Sequence, residues 1–313
     1  MTEMVDFTGC GLSPRNLEYG GRAGEKRGIV FDEGFYILKF PKNTLGMDNV
    51  RGISYVTSPL SEYIGSHIYE ILGYDAQKTV LGICHDGKRY KVVCACKDFI
   101  EDDKNELLIP YTALRNDASP IIASRNDESF VSPSNINEII FQLEHNTVLG
   151  VIGGAKERFF DVAIIDMLIN NNDRHEDNWG VIKFKDEGRY VMAPIFDCGN
   201  CFYGKSADER IRELLSDPKR LYSSATNGVT AYEDEQERRI RNEELVKLDN
   251  GDLRKSMKKI ASLVGERFDD IVEFINGIPS SFMDVAVMSD ERKRYYIETF
   301  RIRYEEILLK SVK

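Results

Sequence analysis

The sequence predicts an α+β protein in two parts that meet near residue 100. Three observations carry this: two strand pairs with a helix between them in residues 28–96, a stretch apolar on every side at 154–170, and amphipathic helical stripes after residue 250. Residues 1–100 read as a small unit of antiparallel sheet and one helix, and residues 101–313 as a larger, mainly helical unit. A chain of 313 residues is long enough for one large domain or two modest ones.

The elements follow in order. Gly28–Phe31 and Phe35–Phe40 flank Asp32-Glu33-Gly34, a tight glycine-containing turn. Ser58-Pro59 opens a helix whose face carries Ile64, Ile68, Ile71 and Leu72, and Gly73 is placed to end it. Lys78–Cys84 and Arg89–Cys96 form a second hairpin around His85-Asp86-Gly87. Beyond residue 100 the pattern turns helical, with a polar, exposed loop expected at 115–136. Residues 154–170 place apolar side chains around nearly the whole helix circumference, as a core helix must. Short strands are expected at Gly180–Phe184 and Arg189–Met192, and 204–250 is so polar that it offers little core material. The tail carries three stripes: Leu253, Met257, Ile260 and Leu263; Phe268, Ile271, Phe274 and Ile275; and Tyr296 to Leu308, with Ser289 as a cap.

Composition excludes several classes. Hydrophobic residues at 42% and charged residues at 30% are globular proportions. A net charge of −10 repels phosphate backbones, so nucleic acid is not an expected partner. No stretch approaches the roughly 18 apolar residues of a membrane span, so no membrane partner is expected. The first twenty residues do not read as a signal peptide, and 6 cysteines are too sparse for a disulfide scaffold, so a cytoplasmic protein with reduced thiols is expected.

Chemistry concentrates after the apolar helix, in Asn170-Asn-Asn-Asp173-Arg-His-Glu-Asp-Asn178-Trp-Gly180, followed by Ala193-Pro-Ile-Phe-Asp197-Cys-Gly199. An Asn-rich turn can simply satisfy the last helix carbonyls. The density of carboxylates and amides, however, suits phosphoryl transfer to a hydroxyl. That reaction needs a carboxylate to orient and deprotonate the hydroxyl, and oxygen ligands to hold Mg²⁺ on the phosphates.

These two segments resemble the catalytic and metal-binding segments of HipA-like serine/threonine kinases, most closely the short branch typified by cell-translocating kinase A (CtkA). Asp6-Phe-Thr, Gly20-Gly21, Lys39-Phe-Pro41, Ser61-Glu62-Tyr63 and Ala95-Cys-Lys-Asp-Phe99 fall in that branch's order. The resemblance implies a bilobal protein-kinase-like fold, ATP and Mg²⁺ as cofactors, and a protein substrate with a Ser/Thr acceptor. Asp173 would be the catalytic base, with Asn178 and Asp197 on the metal. Lys39 would contact the α/β-phosphates and pair with Glu62, and the backbone of Lys97, Asp98 and Phe99 would hold adenine. His175 would shape the catalytic loop through its ring. Gly20, Gly21, Gly24 and Lys26 belong to the candidate phosphate loop, where glycines let backbone N–H groups approach an anion. That loop has no Ser or Thr between Gly20 and Lys26, so self-inactivation through a phosphate-loop serine, as in HipA, is not carried over. Nor does the resemblance carry an antitoxin partner, since most of HipA's N-terminal extension has no counterpart. Branch members are associated with delivery to other cells, which here would take a signal-peptide-independent route for a bacterial effector or toxin.

Rival readings attach to the same residues. Lys39 could alternate to solvent with Glu62 exposed on its helix. Arg174 could anchor a phosphorylated residue or pair with a loop acid. Trp179 would pack behind the loop. Cys94, Cys96, Cys198 and Cys201 could make a four-thiolate zinc site, though the first spacing is tight for it. A non-catalytic nucleotide-binding scaffold, a small-molecule kinase, and a metal-dependent hydrolase using Asp173, His175 and Asp177 are the alternative functions. Ser206, Ser216, Ser223, Ser224, Thr226 and Thr230 are candidate phosphorylation sites in what would be the activation segment.

Overall fold

The computed structural model describes residues 2–17, 26–44, 56–100, 106–115 and 132–313. Two compact units emerge, neither of them a single run of chain. Unit one takes residues 1–99, 198–225 and 265–302, and unit two takes 100–197, 226–264 and 303–313.

Unit one is built on a five-stranded sheet. Its strands are β1 (Val5–Asp6), β2 (Lys26–Phe31), β3 (Gly34–Lys39), β4 (Thr79–His85) and β5 (Tyr90–Lys97), in the order β1-β4-β5-β3-β2. The expected antiparallel pairs are present, but β1 joins β4 in parallel, Val5 opposite Gly82, because it arrives from outside either hairpin. Gly82 has no room for a side chain there: a Cβ would fall 2.1 Å from the Val5 carbonyl oxygen. The β2–β3 turn is two residues rather than three. Phe31 pairs with Gly34, and Asp32 and Glu33 both take positive φ (45° and 55°), the twist that a two-residue hairpin needs.

Helix α1 (Ser58–Ile71) starts with a proline in its first turn, where the missing N–H costs nothing. It ends at Gly73 (φ 82°), with Tyr74 N–H donating to the Tyr69 carbonyl and Gly73 N–H to that of Glu70. This left-handed stop satisfies the last carbonyls, and the Tyr69 and Tyr74 rings meet edge to face at 6.3 Å. Period-2 alternation sorts β3. Tyr36, Leu38 and Phe40 join Phe7, Ile29, Val93 and Ala95 in one buried cluster. Lys39 is carried on the opposite face.

Unit two contains a strand that the sequence pattern concealed. β6 (Glu106–Pro110) pairs antiparallel with β7 (Gly180–Phe184), which pairs with β8 (Arg189–Met192). Five residues of mixed polarity bounded by Pro110 do not announce a strand; the ladder with β7 makes them one. A short turn of helix, α2 (Tyr111–Leu114), follows at once. The expected loop at 115–136 lies mostly outside the described residues, and its end is a buried cap: the Asn135 side chain accepts from the N–H groups of Asn137 and Glu138 at the start of α3 (Ile136–His145). Helix α4 (Ala155–Ile169) is buried on nearly all sides, as its composition requires.

The polar 204–250 region contributes more core than its composition suggested. It forms α5 (Asp208–Ser216), α6 (Pro218–Thr226), the hairpin β9 (Val229–Glu233) with β10 (Arg239–Arg241), and α7 (Asn242–Leu245). Ile211, Leu214 and Ala225 are buried in unit one, and Tyr232, Ile240 and Leu245 in unit two. Short amphipathic elements need only one apolar residue per turn, so low mean hydropathy hides them. Two of the tail stripes lie on one continuous helix, α8 (Gly251–Asn276). The third begins on α9 (Asp290–Ile302), where the Ser289 hydroxyl accepts from the Arg292 N–H. Among the described residues no helix is long and apolar enough to cross a membrane.

Candidate active site

In unit one, Lys39 Nζ donates to Glu62 Oε2 at 2.8 Å. Glu62 is completely buried, and a buried carboxylate is tolerable only when its oxygens are satisfied. Its second oxygen, Oε1, accepts the backbone N–H of Cys198 at 3.0 Å. Cys198 directly follows Asp197 in the chain. One carboxylate thus holds both the β3 lysine and the backbone next to the proposed metal ligand. The solvent-facing alternative for this pair is excluded by that geometry.

Two further contacts seat the 198–204 segment on α1. The Ser61 hydroxyl donates to the Cys201 carbonyl at 2.7 Å. Gly65, three residues past Glu62, leaves the space that the segment occupies: a Cβ there would lie 2.6 Å from the Cys198 Cβ and 2.9 Å from the Cys201 Sγ. Cys94, Cys96, Cys198 and Cys201 are all buried and packed against neighbouring elements. Burial and the neighbouring Cys96 thiol push the Cys94 thiol well above its ordinary range, which favours the neutral form over a metal-binding thiolate. No group of three or more His, Cys, Asp or Glu side chains among the described residues is arranged to hold a metal.

The end of β5 is tightly committed. Lys97 N–H donates to the Lys78 carbonyl, the Lys97 carbonyl accepts from Gln77 Nε2, and Asp98 N–H donates to the Phe35 carbonyl. The Asp98 carboxylate takes Arg15 Nη1 at 2.8 Å, with the guanidinium 4.7 Å above the Phe35 ring. The amide hydrogens of Lys97 and Asp98 are therefore spent within unit one, and Phe99 is where the unit's first segment ends. Of the candidate phosphate loop, Gly20, Gly21 and Gly24 lie outside the described residues. Lys26 opens β2, exposed and opposite Lys39.

In unit two, α4 ends on Asn170 in the left-handed conformation (φ 55°), and Asn171 N–H donates to the Asp166 carbonyl. Arg174 is then drawn inward. Its Nε and Nη2 fork onto the Asp166 carboxylate at 2.9 and 3.2 Å, while Nη1 donates to the carbonyls of Asn178 and Phe196. The question left open by the sequence is decided: Arg174 pairs with an acid, on the helix rather than on the loop. The Asn171 side chain also donates to Asp166, at 2.9 Å. Asp173 is exposed at the tip. Asn178 Nδ2 donates to the Asp173 carbonyl at 2.7 Å, which turns its Oδ1 the other way. The His175 ring accepts the Asp177 N–H at 3.3 Å, a contact within the loop. Asp197 takes positive φ (57°), a conformation that aspartate tolerates better than most residues. Trp179 stacks on Tyr111 at 4.3 Å, and Thr112 donates to the Asp177 carboxylate.

Asp166 was missed from sequence. The signal was available: an acid inside a helix apolar on every side must find a cation or a donor.

No family model matches the chain. The class comes from the fold, which is that of a kinase and is shared with the solved structures of a CtkA and a HipA. The particular likeness is to the serine/threonine-protein kinase CtkA of Helicobacter pylori, 28% identical over 97% of this chain and 90% of that protein. The crystal structure of a Helicobacter pylori proinflammatory kinase CtkA matches with a TM-score of 0.82 and 25% identity, over 99% of this chain and 98% of that one. A HipA–HipB–operator DNA complex from Shewanella oneidensis MR-1 shares the fold at a TM-score of 0.52 and 15% identity, covering 96% of this chain and 69% of that one.

Proposed function

We propose that the protein transfers the γ-phosphoryl group of ATP, with Mg²⁺, to Ser/Thr hydroxyls of a protein substrate, its own chain included. The observation that carries this reading is the Glu62 carboxylate, which ties the β3 lysine and the backbone beside Asp197 to one buried group.

The donor set fits the cofactor. Asn178 and Asp197 offer an amide oxygen and a carboxylate, hard ligands of the kind Mg²⁺ prefers. When bound, the nucleotide and its cation supply the transferable group and offset its charge. The chain's residues do the rest. Asp173, exposed on a loop held from behind, accepts a hydrogen bond from the acceptor hydroxyl, orients it and takes its proton. Lys39, aimed by its hydrogen bond to Glu62, contributes positive charge to the phosphates. His175 shapes the loop through its ring and the Asp177 amide. Catalysis of this kind is chiefly positioning and charge stabilisation.

The test is transfer of label from γ-labelled ATP by the purified full chain to itself or to a basic acceptor protein. Wild type is expected to label the acceptor, and Asp173→Ala and Asp197→Ala are not. Equal labelling by both variants overturns the reading. Nucleotide binding without transfer to any protein would mark a scaffold instead.

A further inference from the structure

Arg174 presents an unusual economy for a catalytic-loop arginine. A guanidinium has five N–H donors, and four hydrogen bonds run from Arg174 to the Asp166 carboxylate and the carbonyls of Asn178 and Phe196. Its side chain is 2% exposed. The two carbonyls belong to the proposed metal ligand Asn178 and to the residue before Asp197. The arginine therefore spans the loop and the metal-binding segment, and Asp166 holds it from a helix locked into the core. Many kinases instead order this region when a phosphorylated residue meets an arginine. Here the acid is already built in, on a side chain buried with the arginine.

We propose that Asp166 is a positioning residue: the buried Asp166–Arg174 pair sets the backbone that presents Asn178 and Asp197, so that activity does not wait for phosphorylation of the chain. This rests on the kinase reading above and extends it to how the site is regulated. Of the candidate phosphorylation sites, Ser216 and Ser223 are exposed, while three others are engaged or buried. Thr226 and Thr230 are buried, and the Ser224 hydroxyl is 2.7 Å from the Tyr295 hydroxyl.

Asp166→Asn alone leaves Arg174 buried without its counter-charge and can fail to fold. The deciding variant is the double substitution Asp166→Leu/Arg174→Met, which removes both charges at similar volume. Its denaturation midpoint is expected to fall less than that of Asp166→Asn, because no buried charge is stranded although the Asn178 and Phe196 carbonyls lose their donor. Amide hydrogen exchange across 171–180 and 193–197 should rise by about tenfold, while kcat falls by about tenfold or more and the half-saturating Mg²⁺ concentration rises. Arg174→Lys keeps the charge but not the fork, and is expected to behave like the double variant; it carries the same test if the double variant does not fold. Phosphatase-treated wild type should keep its initial rate within about twofold. Wild-type exchange and kcat in these variants, or a rate that collapses on dephosphorylation, overturns the proposal. A wild type that transfers no phosphate overturns the kinase reading instead, and the exchange experiment still judges the clamp without any activity.

Discussion

Lys39–Glu62 in unit one and Arg174–Asp166 in unit two are both buried ion pairs beside proposed site residues, and the two are built differently. In unit one, Lys39 keeps 16% of its side chain exposed while Glu62 keeps none. In unit two, Arg174 and Asp166 keep 2% and 4%. Lysine is a compact point charge on a flexible stem, suited to meeting a ligand. Arginine is a planar fork, suited to fixing several acceptors at once. The same chemistry thus serves two ends: the lysine pair faces outward with its carboxylate as anchor, and the arginine pair is turned inward onto buried side chains and backbone. A buried pair is weak evidence for stability by itself; what its cation touches tells more.

The comparison can be tested by removing its members, beginning with the largest effect. Asp173→Ala, which takes away an exposed carboxylate and no packing, is expected to lower kcat by roughly 10²–10⁴ at an unchanged denaturation midpoint. Lys39→Met should lower kcat/KM for ATP by on the order of 10²–10³. If its effect on the nucleotide were no greater than that of Arg174→Lys, the outward and inward division would fail.

Stability should follow the opposite order. Asp166→Asn strands a buried guanidinium and is expected to cost about 3–5 kcal/mol in urea denaturation. Gly65→Ala is milder. Its methyl group must displace Cys198 or Cys201 from α1, at about 1–3 kcal/mol, and it should weaken Mg²⁺–nucleotide binding because Glu62 then loses its contact with the Cys198 amide. Normal binding in this variant would show that the amide contact is not needed.

The smallest effect concerns His67 in unit one. Burial lowers its pKa from 6.5, and its ring stacks on Phe274 at 5.0 Å with Nδ1 2.9 Å from the Tyr63 carbonyl oxygen; Glu70 and Lys78 are the charged groups acting on it. Its folded pKa is the lower one, so the unfolded chain binds the proton first as pH falls. Stability is full above about pH 6.5 and declines below it, by no more than about 1.4 kcal/mol per pH unit. Urea denaturation of His67→Gln should show that slope flattened.

Much of this was legible in the chain. The α4 helix, the two unit-one hairpins and the Gly73 stop follow from apolar periodicity and turn chemistry, which act within a few residues. Asp173, Asn178 and Asp197 could be singled out because their spacing survives in one short stretch of chain. Other features were hidden for equally local reasons. β6 has no alternation of its own and depends on β7 for its hydrogen bonds. The helices α5 and α6 are too short and polar to raise the mean hydropathy of 204–250. Asp166 looked like an exception within an apolar helix.

The sequence by itself determined which residue types were available and roughly which elements would carry them, because propensity, periodicity and capping are properties of neighbours. Only the tertiary structure decided what each charge does. Arg174 could have faced solvent, a phosphate or an acid on its own loop, and Lys39 could have pointed either way from its strand. Desolvation settled both, since a charge taken out of water must find its partner wherever the chain brings one, eight residues away for Arg174 and Asp166 and twenty-three for Lys39 and Glu62.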